Sequence, residues 1–135
     1  MMCLSLGAPD REAERKILLG EAINITIEKL APVLTEVEVS ELMNEVNKIH
    51  VSSVCLDYLQ DIIEKSRQES LGLSPRAGRD FNQAAKAYAY ISGREFVIPE
   101  DYQQVGAAIM SHRLESEALG NKNITEQVLS STPVH

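Results

Sequence analysis

The chain has 135 residues, of which 44% are hydrophobic and 24% charged, and its formal net charge is −7. This length fits one globular domain, and the acidity argues against nonspecific binding to DNA or to an anionic membrane surface, which requires Lys and Arg to neutralise phosphates. Aromatic residues make up only 4% of the sequence and none is Trp. An apolar content of this kind favours packed helices over a sandwich of strands, so we expect an all-α domain.

The chain opens with a strand-like pattern. Met2, Leu4 and Leu6 alternate with Cys3 and Ser5, and the pattern stops at Gly7-Ala8-Pro9. A lone strand has nothing to pair with, so we predict that residues 1–8 are a remnant of the last strand of a sheet outside this chain. A disordered tail is the alternative interpretation.

Two helix signals follow this segment. Asp10 caps a first helix that runs to about Gly20. Residues 21–34 are predicted to be a connector, because Ile23, Ile25 and Ile27 alternate like a strand while Pro32 stops any helix. The pattern Thr35-x-x-Glu38 is typical of a capping box. It predicts an amphipathic helix with an apolar face at Val39, Leu42, Met43, Val46 and Ile49.

The middle of the chain predicts two longer helices. Ser52 or Ser53 caps one that ends near Glu69, with an inner face expected at Cys55, Leu56, Leu59, Ile62 and Ile63. A central helix runs from Pro75 to about Ser92, where Gly93 is a candidate C-cap. Its buried stripe is expected at Ala77, Phe81, Ala84, Ala85, Tyr88 and Ile91.

The last third of the chain predicts one long and one short helix. Pro99 opens the long helix with Glu100 and Asp101 in its first turn, and the expected buried residues are Tyr102, Val105, Ala108 and Ile109. Asn123-x-x-Glu126 caps the short helix. The sequence thus predicts a compact helical bundle of five or six helices, with a domain at residues 9–115 and a tail at residues 116–135.

Common catalytic motifs are missing from the sequence. None of the seven glycines is followed by Lys, so the chain has no P-loop. The three histidines, His50, His112 and His135, lie far apart without an HExxH or Cys/His cluster, which favours surface or helix-end positions over metal ligation. No GxSxG pattern marks a nucleophile. We therefore expect no metal site.

Cysteine usage and the lack of targeting signals bear on localisation. Cys3 and Cys55 show no metal-ligand spacing, so unpaired thiols in a reducing compartment are favoured over a disulfide. No apolar run approaches the ~18 residues of a membrane span, and the segment from Met1 to Gly7 lacks the basic region of a signal peptide. We expect a cytoplasmic protein without a membrane partner.

The candidate binding residues are Ser74, Pro75 and Arg76, at the start of the central helix. Ser74 can accept a hydrogen bond from a first-turn amide, and Pro75 suits the next position because its missing N–H would be unpaired there. Arg76 then adds a bidentate phosphate donor to a helix start that already attracts anions. The alternative is an exposed ion pair with Asp80 at i+4, which would contribute only ~0.3–0.5 kcal/mol.

Five motifs in consistent order resemble the C-terminal helical lid of MoxR-type AAA+ ATPases, from Leu4 to the end of the chain. They are Leu4 to Arg15 (LSLGAPDREAER), Ile49 to Ser52 with Leu56 to Tyr58 (IHVS and LDY), Gly72 to Ala77 (GLSPRA), Gly93 to Asp101 (GREFVIPED) and Val128 to Val134 (VLSSTPV). The GREFVIPED segment alone would be a weak signal, because many AAA+ lids and histone-like folds carry something similar.

The resemblance implies a role for Arg76 as the second-sensor arginine, which reaches from the lid to the γ-phosphate of ATP. It implies ATP and Mg in the full-length parent, an ATPase core and neighbouring subunits of a hexameric ring as partners, and chaperone-like work, often with a von Willebrand factor A-domain protein. Loss of nucleotide would release a link between lid and core. This chain alone would be inactive, since its core with the P-loop, the metal-binding acid and the first sensor would lie outside it.

Two positions depart from the family pattern. Ile98 replaces the usual threonine before Pro99, so we expect that helix start to fray for lack of a cap worth ~1 kcal/mol. Gly78 replaces a helix-forming residue at a cost of up to ~1 kcal/mol, which predicts lower rigidity after Arg76. The alternative function is a stand-alone helical protein–protein interaction domain without a nucleotide role; a nucleic-acid-binding helical domain is disfavoured by the charge.

Overall fold

A computed structural model describes residues 2–20, 30–69, 72–114 and 124–133. These ranges contain six helices: α1 (Arg11–Leu18), α2 (Glu36–Lys48), α3 (Ser53–Glu69), α4 (Pro75–Ile91), α5 (Pro99–Leu114) and α6 (Ile124–Ser131). The described residues form no β-sheet, and extended pairing is limited there to an isolated parallel bridge between His50 and Phe96. The predicted all-α bundle is confirmed.

The hydrophobic core lies between α3, α4, α5 and α6. Phe81 of α4 meets Tyr102 of α5 edge to face, with ring centroids 5.6 Å apart, and Tyr58 of α3 lies 6.3 Å from the same ring. Burial raises the pKa of the Tyr102 phenol, whose hydroxyl donates to Asn82 Oδ1 at 2.7 Å. The phenol therefore stays protonated inside the bundle, and its hydroxyl has a hydrogen-bond partner.

Glycine allows close helix approach at two crossings. A Cβ built on Gly78 of α4 would lie 2.7 Å from Ile63 Cδ1 of α3, and one built on Gly106 of α5 would lie 2.8 Å from Leu129 Cδ1 of α6. Gly78 is itself buried. The expectation that Gly78 only weakens α4 is therefore incomplete, since its missing side chain lets α3 and α4 pack closely.

The buried stripe of α4 differs from the sequence prediction at its C-terminal end. Tyr88 and Ile91 are 38% and 82% exposed, whereas Ala89 is fully buried. The reason is that the stripe advances by four residues per step through Ala77, Phe81, Ala85 and Ala89, so the two predicted positions rotate toward solvent. Leu56 of α3 is likewise 42% exposed rather than buried.

Gly93 ends α4 as predicted. Its φ is +74°, its N–H donates to the Tyr90 carbonyl at 2.9 Å, and the N–H of Arg94 donates to the Ala89 carbonyl at 2.9 Å. This pair of bonds is the Schellman motif, which requires a left-handed residue after the helix. The turn sends the chain back toward α5.

The first two helices form with the predicted caps but bury none of their residues. Asp10 Oδ1 accepts the Ala13 N–H at 2.8 Å, and Thr35 and Glu38 form a capping box. The apolar residues behind these caps remain exposed: Ile17 56%, Leu18 81%, Val37 66%, Val39 42%, Leu42 39% and Met43 64%. Both helices therefore expose apolar residues, although α2 also contacts α4.

The N-terminal segment pairs with no strand in this chain. Residues 2–9 belong to neither a helix nor a strand among the described residues, so a strand in a sheet outside this chain stays a prediction. The Cys3 N–H instead donates to the Ala108 carbonyl of α5 at 2.7 Å. Most of the connector, at 21–29, and the predicted cap Asn123 lie outside the described residues.

Candidate functional site

The candidate site is the start of α4, and its local geometry is as predicted. Ser74 has extended backbone angles and its Oγ accepts the Ala77 N–H at 3.2 Å. Pro75 occupies the first helical turn, which places Arg76 directly behind it. The N-cap is therefore formed by the residue that the sequence indicated.

The loop before Ser74 is fastened to the end of α3. The Ser66 hydroxyl is fully buried; it donates to the Ile63 carbonyl at 2.7 Å and accepts the Leu73 N–H at 3.0 Å. Arg67 Nη2 donates to the Leu73 carbonyl at 3.4 Å. Leu73 is thus held through both of its backbone groups and through a side chain that is 2% exposed. This fixes the residue immediately before the N-cap.

Gly72 makes this fastening possible. Its φ is +73°, and a Cβ built on it would lie 2.6 Å from the Arg67 Cα. The left-handed conformation and the approach of one backbone to another both require glycine. The absence of a side chain at Gly72 therefore lets the chain pass close to the end of α3.

Arg76 is exposed at this helix start. Among the residues that the structure describes, its guanidinium has no hydrogen bond or ion pair. The alternative partner Asp80 lies 3.5 Å from Arg113 of α5 instead. The predicted i,i+4 pair between Arg76 and Asp80 is therefore not formed, and the guanidinium is available to an anion. The buried neighbours Ala77 and Gly78 seat this turn on the bundle.

Two other motifs of the sequence meet where the α2–α3 connection pairs with the α4–α5 connection. The His50 N–H donates to the Glu95 carbonyl at 2.9 Å, and the Val97 N–H donates to the His50 carbonyl at 2.9 Å. Cys55 Sγ lies 3.3 Å from the Val97 carbonyl, to which it donates. The IHVS and GREFVIPED segments thus form one junction between α2, α3 and α5.

Asp101 holds the start of α5. It is 1% exposed and forms a two-point ion pair with Arg94, at 2.8 and 2.5 Å, which raises the pKa of Arg94. Asp101 Oδ2 also accepts the Ile98 N–H at 2.9 Å. The expected fraying at Ile98 is therefore offset. The side chain of Ile98 cannot form a cap, but the Asp101 carboxylate accepts the Ile98 N–H and stabilises the helix start.

Sequence reasoning missed the structural roles of Ser66 and Asp101. The sequence prediction places Asp101 in the first turn of α5 without a partner, although its position three residues after Ile98 matches the second half of a capping box. A basic residue seven positions earlier, Arg94, was a further signal. No sequence pattern around Ser66 indicates its role, because its partner Leu73 lies seven residues later, beyond the end of α3.

Within the part of the chain that the structure describes, no helix is both long enough and apolar enough to cross a membrane. The AAA lid domain family matches residues 64–132, a span that covers α4, α5 and α6. The chain belongs to the AAA lid domain family. The region of the match includes Ser74, Pro75 and Arg76, so the candidate site is part of the lid.

Known relatives extend the match to nearly the whole chain. The uncharacterized protein YeaC of Bacillus subtilis is 29% identical over 97% of this chain and 44% of its own length. The chaperone MoxR1 of Mycobacterium tuberculosis is 27% identical over 82% of this chain and 32% of its own length. The lid thus spans less than half of either relative, and the resemblance to the lid of MoxR-family AAA+ ATPases is confirmed.

The fold is also similar to a solved structure. A putative ATPase from Cytophaga hutchinsonii, solved by crystallography at 2.00 Å, superposes on this chain with a TM-score of 0.76 and 25% identity. The superposition covers 100% of this chain and 46% of that protein. The helical bundle described above is therefore the arrangement found in part of a larger protein.

Proposed function

We propose that this lid contributes Arg76 to ATP hydrolysis in a MoxR-type AAA+ ATPase, where it acts as the second-sensor arginine and links nucleotide state to lid position. The observation that carries the proposal is an exposed arginine in the first turn of α4 that has no partner among the described residues. A guanidinium at a helix start is suited to a phosphate, since the free N–H groups and the helix dipole favour the same anion.

The anchoring of the loop supports this role. Stabilising charge on a transferring phosphoryl group requires a donor that is positioned in advance. The hydrogen bonds from Ser66 and Arg67 to Leu73 fix the backbone just before the N-cap. The buried Ala77 and Gly78 fix the backbone just after Arg76. The backbone is therefore anchored to the bundle on both sides of Arg76.

ATP and Mg²⁺ would be held mainly by a core domain. Among the described residues, the chain offers a nucleotide the guanidinium of Arg76, and its sequence lacks a glycine-rich loop followed by lysine. A bound ATP would supply the phosphoryl group that is transferred to water. We expect the isolated chain to bind ATP weakly or not at all, and micromolar affinity would contradict this assignment.

The apolar faces of α1 and α2 support contact with an ATPase core and with neighbouring subunits. These helices bury none of their own residues, and contiguous exposed apolar residues mark interaction surfaces. Our proposal includes a hexameric ring, chaperone-like work in the cytoplasm and a von Willebrand factor A-domain partner, all from the resemblance to MoxR proteins. The relative MoxR1 is itself named a chaperone.

The proposal is tested by ATP turnover of a full-length protein that carries this lid. Arg76→Ala should lower kcat by about 100-fold or more, the usual loss for one donor to transition-state charge. Arg79→Ala is the matched control, because Arg79 is also exposed on α4 and has no ion pair among the described residues. Equal turnover of the Arg76 variant and wild type would overturn the assignment.

The same exposed faces also favour the alternative, a stand-alone helical interaction domain. The sequence encoded upstream of Met1 separates the two proposals. A GxxxxGK[ST] segment there would support the ATPase lid, and a stop codon directly before Met1 would support the stand-alone domain.

A further inference from the structure

A groove between α5 and α6 lies apart from the start of α4. Its volume is about 550 Å³, which is within the range of small-molecule sites, roughly 300–1,000 Å³. Both helices contribute to its wall, and the residues used below are Gln103, Ala107, Ser111, Thr125, Glu126 and Leu129. None of them is assigned a role by the ATPase function proposed above.

Thr125 is the unusual residue of this groove. It is 4% exposed, and its Oγ1 is a buried side-chain atom without a hydrogen-bond partner in the structure. Leaving a buried hydroxyl unpaired destabilises the folded protein. A polar atom in this state at the wall of a groove points to a ligand that would pair with it.

The neighbouring hydroxyl groups already donate hydrogen bonds to backbone carbonyls. Ser111 Oγ donates to the Ala107 carbonyl at 2.7 Å, and Ser130 Oγ donates to the Gln127 carbonyl at 3.3 Å. Thr132 Oγ1, directly after α6, also donates, to the Val128 carbonyl. Each oxygen keeps lone pairs and offers no proton, so these groups present acceptors to the groove.

The two remaining polar groups have the same character. Gln103 Nε2 donates to the Tyr58 hydroxyl at 3.0 Å, which leaves Gln103 Oε1 as the free end of that amide. Glu126 contributes a carboxylate, a group that accepts hydrogen bonds through both of its oxygens. The groove therefore combines several acceptors with one negative charge, and its apolar wall is formed by Ala107 and Leu129.

We propose that this groove binds a guanidinium or ammonium group carried on a short alkyl stem. The cationic head would donate to Thr125 Oγ1 and to the Glu126 carboxylate, and the stem would pack on Ala107 and Leu129. Side chains of arginine and lysine have this form, with an apolar stem and a donor-rich cationic end. A small alkyl cation presents the same chemistry, so an experiment with both distinguishes the two sources.

The test is an amide-shift NMR titration of the ¹⁵N-labelled chain with n-butylguanidinium. The matched control ligand is n-butylurea, which has a similar shape and no charge. We expect n-butylguanidinium to shift the amides of Ala107, Ser111 and Thr125, and n-butylurea to leave them unchanged. A second titration with the peptide acetyl-Gly-Arg-Gly-amide compares the sources: tighter binding than n-butylguanidinium supports an arginine side chain, and equal or weaker binding supports a small cation.

Variants of the chain locate the contact. Thr125→Val and Glu126→Gln should each raise the Kd about tenfold, since hydrogen bonds to charged groups are worth this much or more. Glu100→Gln removes an exposed charge elsewhere and should leave the Kd unchanged. Thermal unfolding checks that the Thr125 variant is folded. Equal shifts with n-butylurea, no shifts at ~10 mM n-butylguanidinium, or an unchanged Kd in folded Thr125→Val would each overturn the proposal.

Discussion

Replacing Gly72 by alanine is the sharpest test of how the site is built. Gly72 and Gly93 both have left-handed backbone angles, with φ of +73° and +74°. A Cβ on Gly93 would meet nothing within 4 Å, whereas one on Gly72 would lie 2.6 Å from the Arg67 Cα and 2.3 Å from its Cγ. Gly93→Ala therefore measures backbone strain alone. Gly72→Ala measures the same strain together with a steric overlap.

The expected magnitudes follow from these two contributions. A left-handed alanine costs about 1–2 kcal/mol, and the lower entropy of the unfolded chain offsets about 0.4–1 kcal/mol of this cost. We therefore expect Gly93→Ala to lower the free energy of unfolding by about 1 kcal/mol. The Gly72 overlap involves backbone, which cannot rotate away, and overpacking adds about 1–3 kcal/mol. Gly72→Ala should then cost about 3 kcal/mol.

The assay is urea denaturation of the two variants and wild type, followed by circular dichroism. In a full-length ATPase carrying this lid, Gly72→Ala should also lower turnover, because the overlap displaces the Leu73 backbone that precedes Ser74. Gly93→Ala, at the far end of α4, should leave turnover near wild type. Equal losses of stability in the two variants would refute the argument that backbone contact with Arg67 fixes this turn.

Three further predictions concern other parts of the bundle. Thr125→Val should raise the free energy of unfolding by about 1 kcal/mol in thermal melts, because it removes a buried hydroxyl without a partner. Arg94→Ala should lower it by about 2 kcal/mol in urea denaturation, less than for a fully buried pair because the Arg94 side chain is 25% exposed. The hydrogen bond from the Thr35 N–H lowers the pKa of Glu38 below 4.5. The cap therefore stabilises α2 above that pH, and this stabilisation is lost as the pH falls. An NMR titration should show this pH dependence in the wild type and not in Glu38→Gln.

The helices and their caps could be predicted because their signals are local. Asp10, Thr35 and Ser74 each accept the amide three residues ahead in the structure, and such spacing is readable from the chain itself. The start of α4 was predictable for this reason. The position of Arg76 in the first turn could be predicted from Ser74 and Pro75 alone, which lie directly before it.

Burial could be predicted less well because it depends on distant residues. The apolar faces of α1 and α2 have the helical period, yet Ile17 and Met43 are more than half exposed. Periodicity indicates which face is apolar and does not say which surface covers it. The interaction of Ser66 with Leu73 and the close crossing at Gly78 were likewise hidden, since each depends on how α3 and α4 meet.

The packing of α4 bears on how a contact at Arg76 could move the lid. A flexible loop would absorb a displacement at the arginine, whereas a fastened one passes it on. Here the backbone before Arg76 is hydrogen-bonded to α3 through Ser66, and Phe81, further along α4, packs on Tyr102 of α5. Closely packed helices shift together because their interiors hold few voids. A phosphate bound by Arg76 would therefore pull on α3, α4 and α5 as a unit, and its loss would release them together.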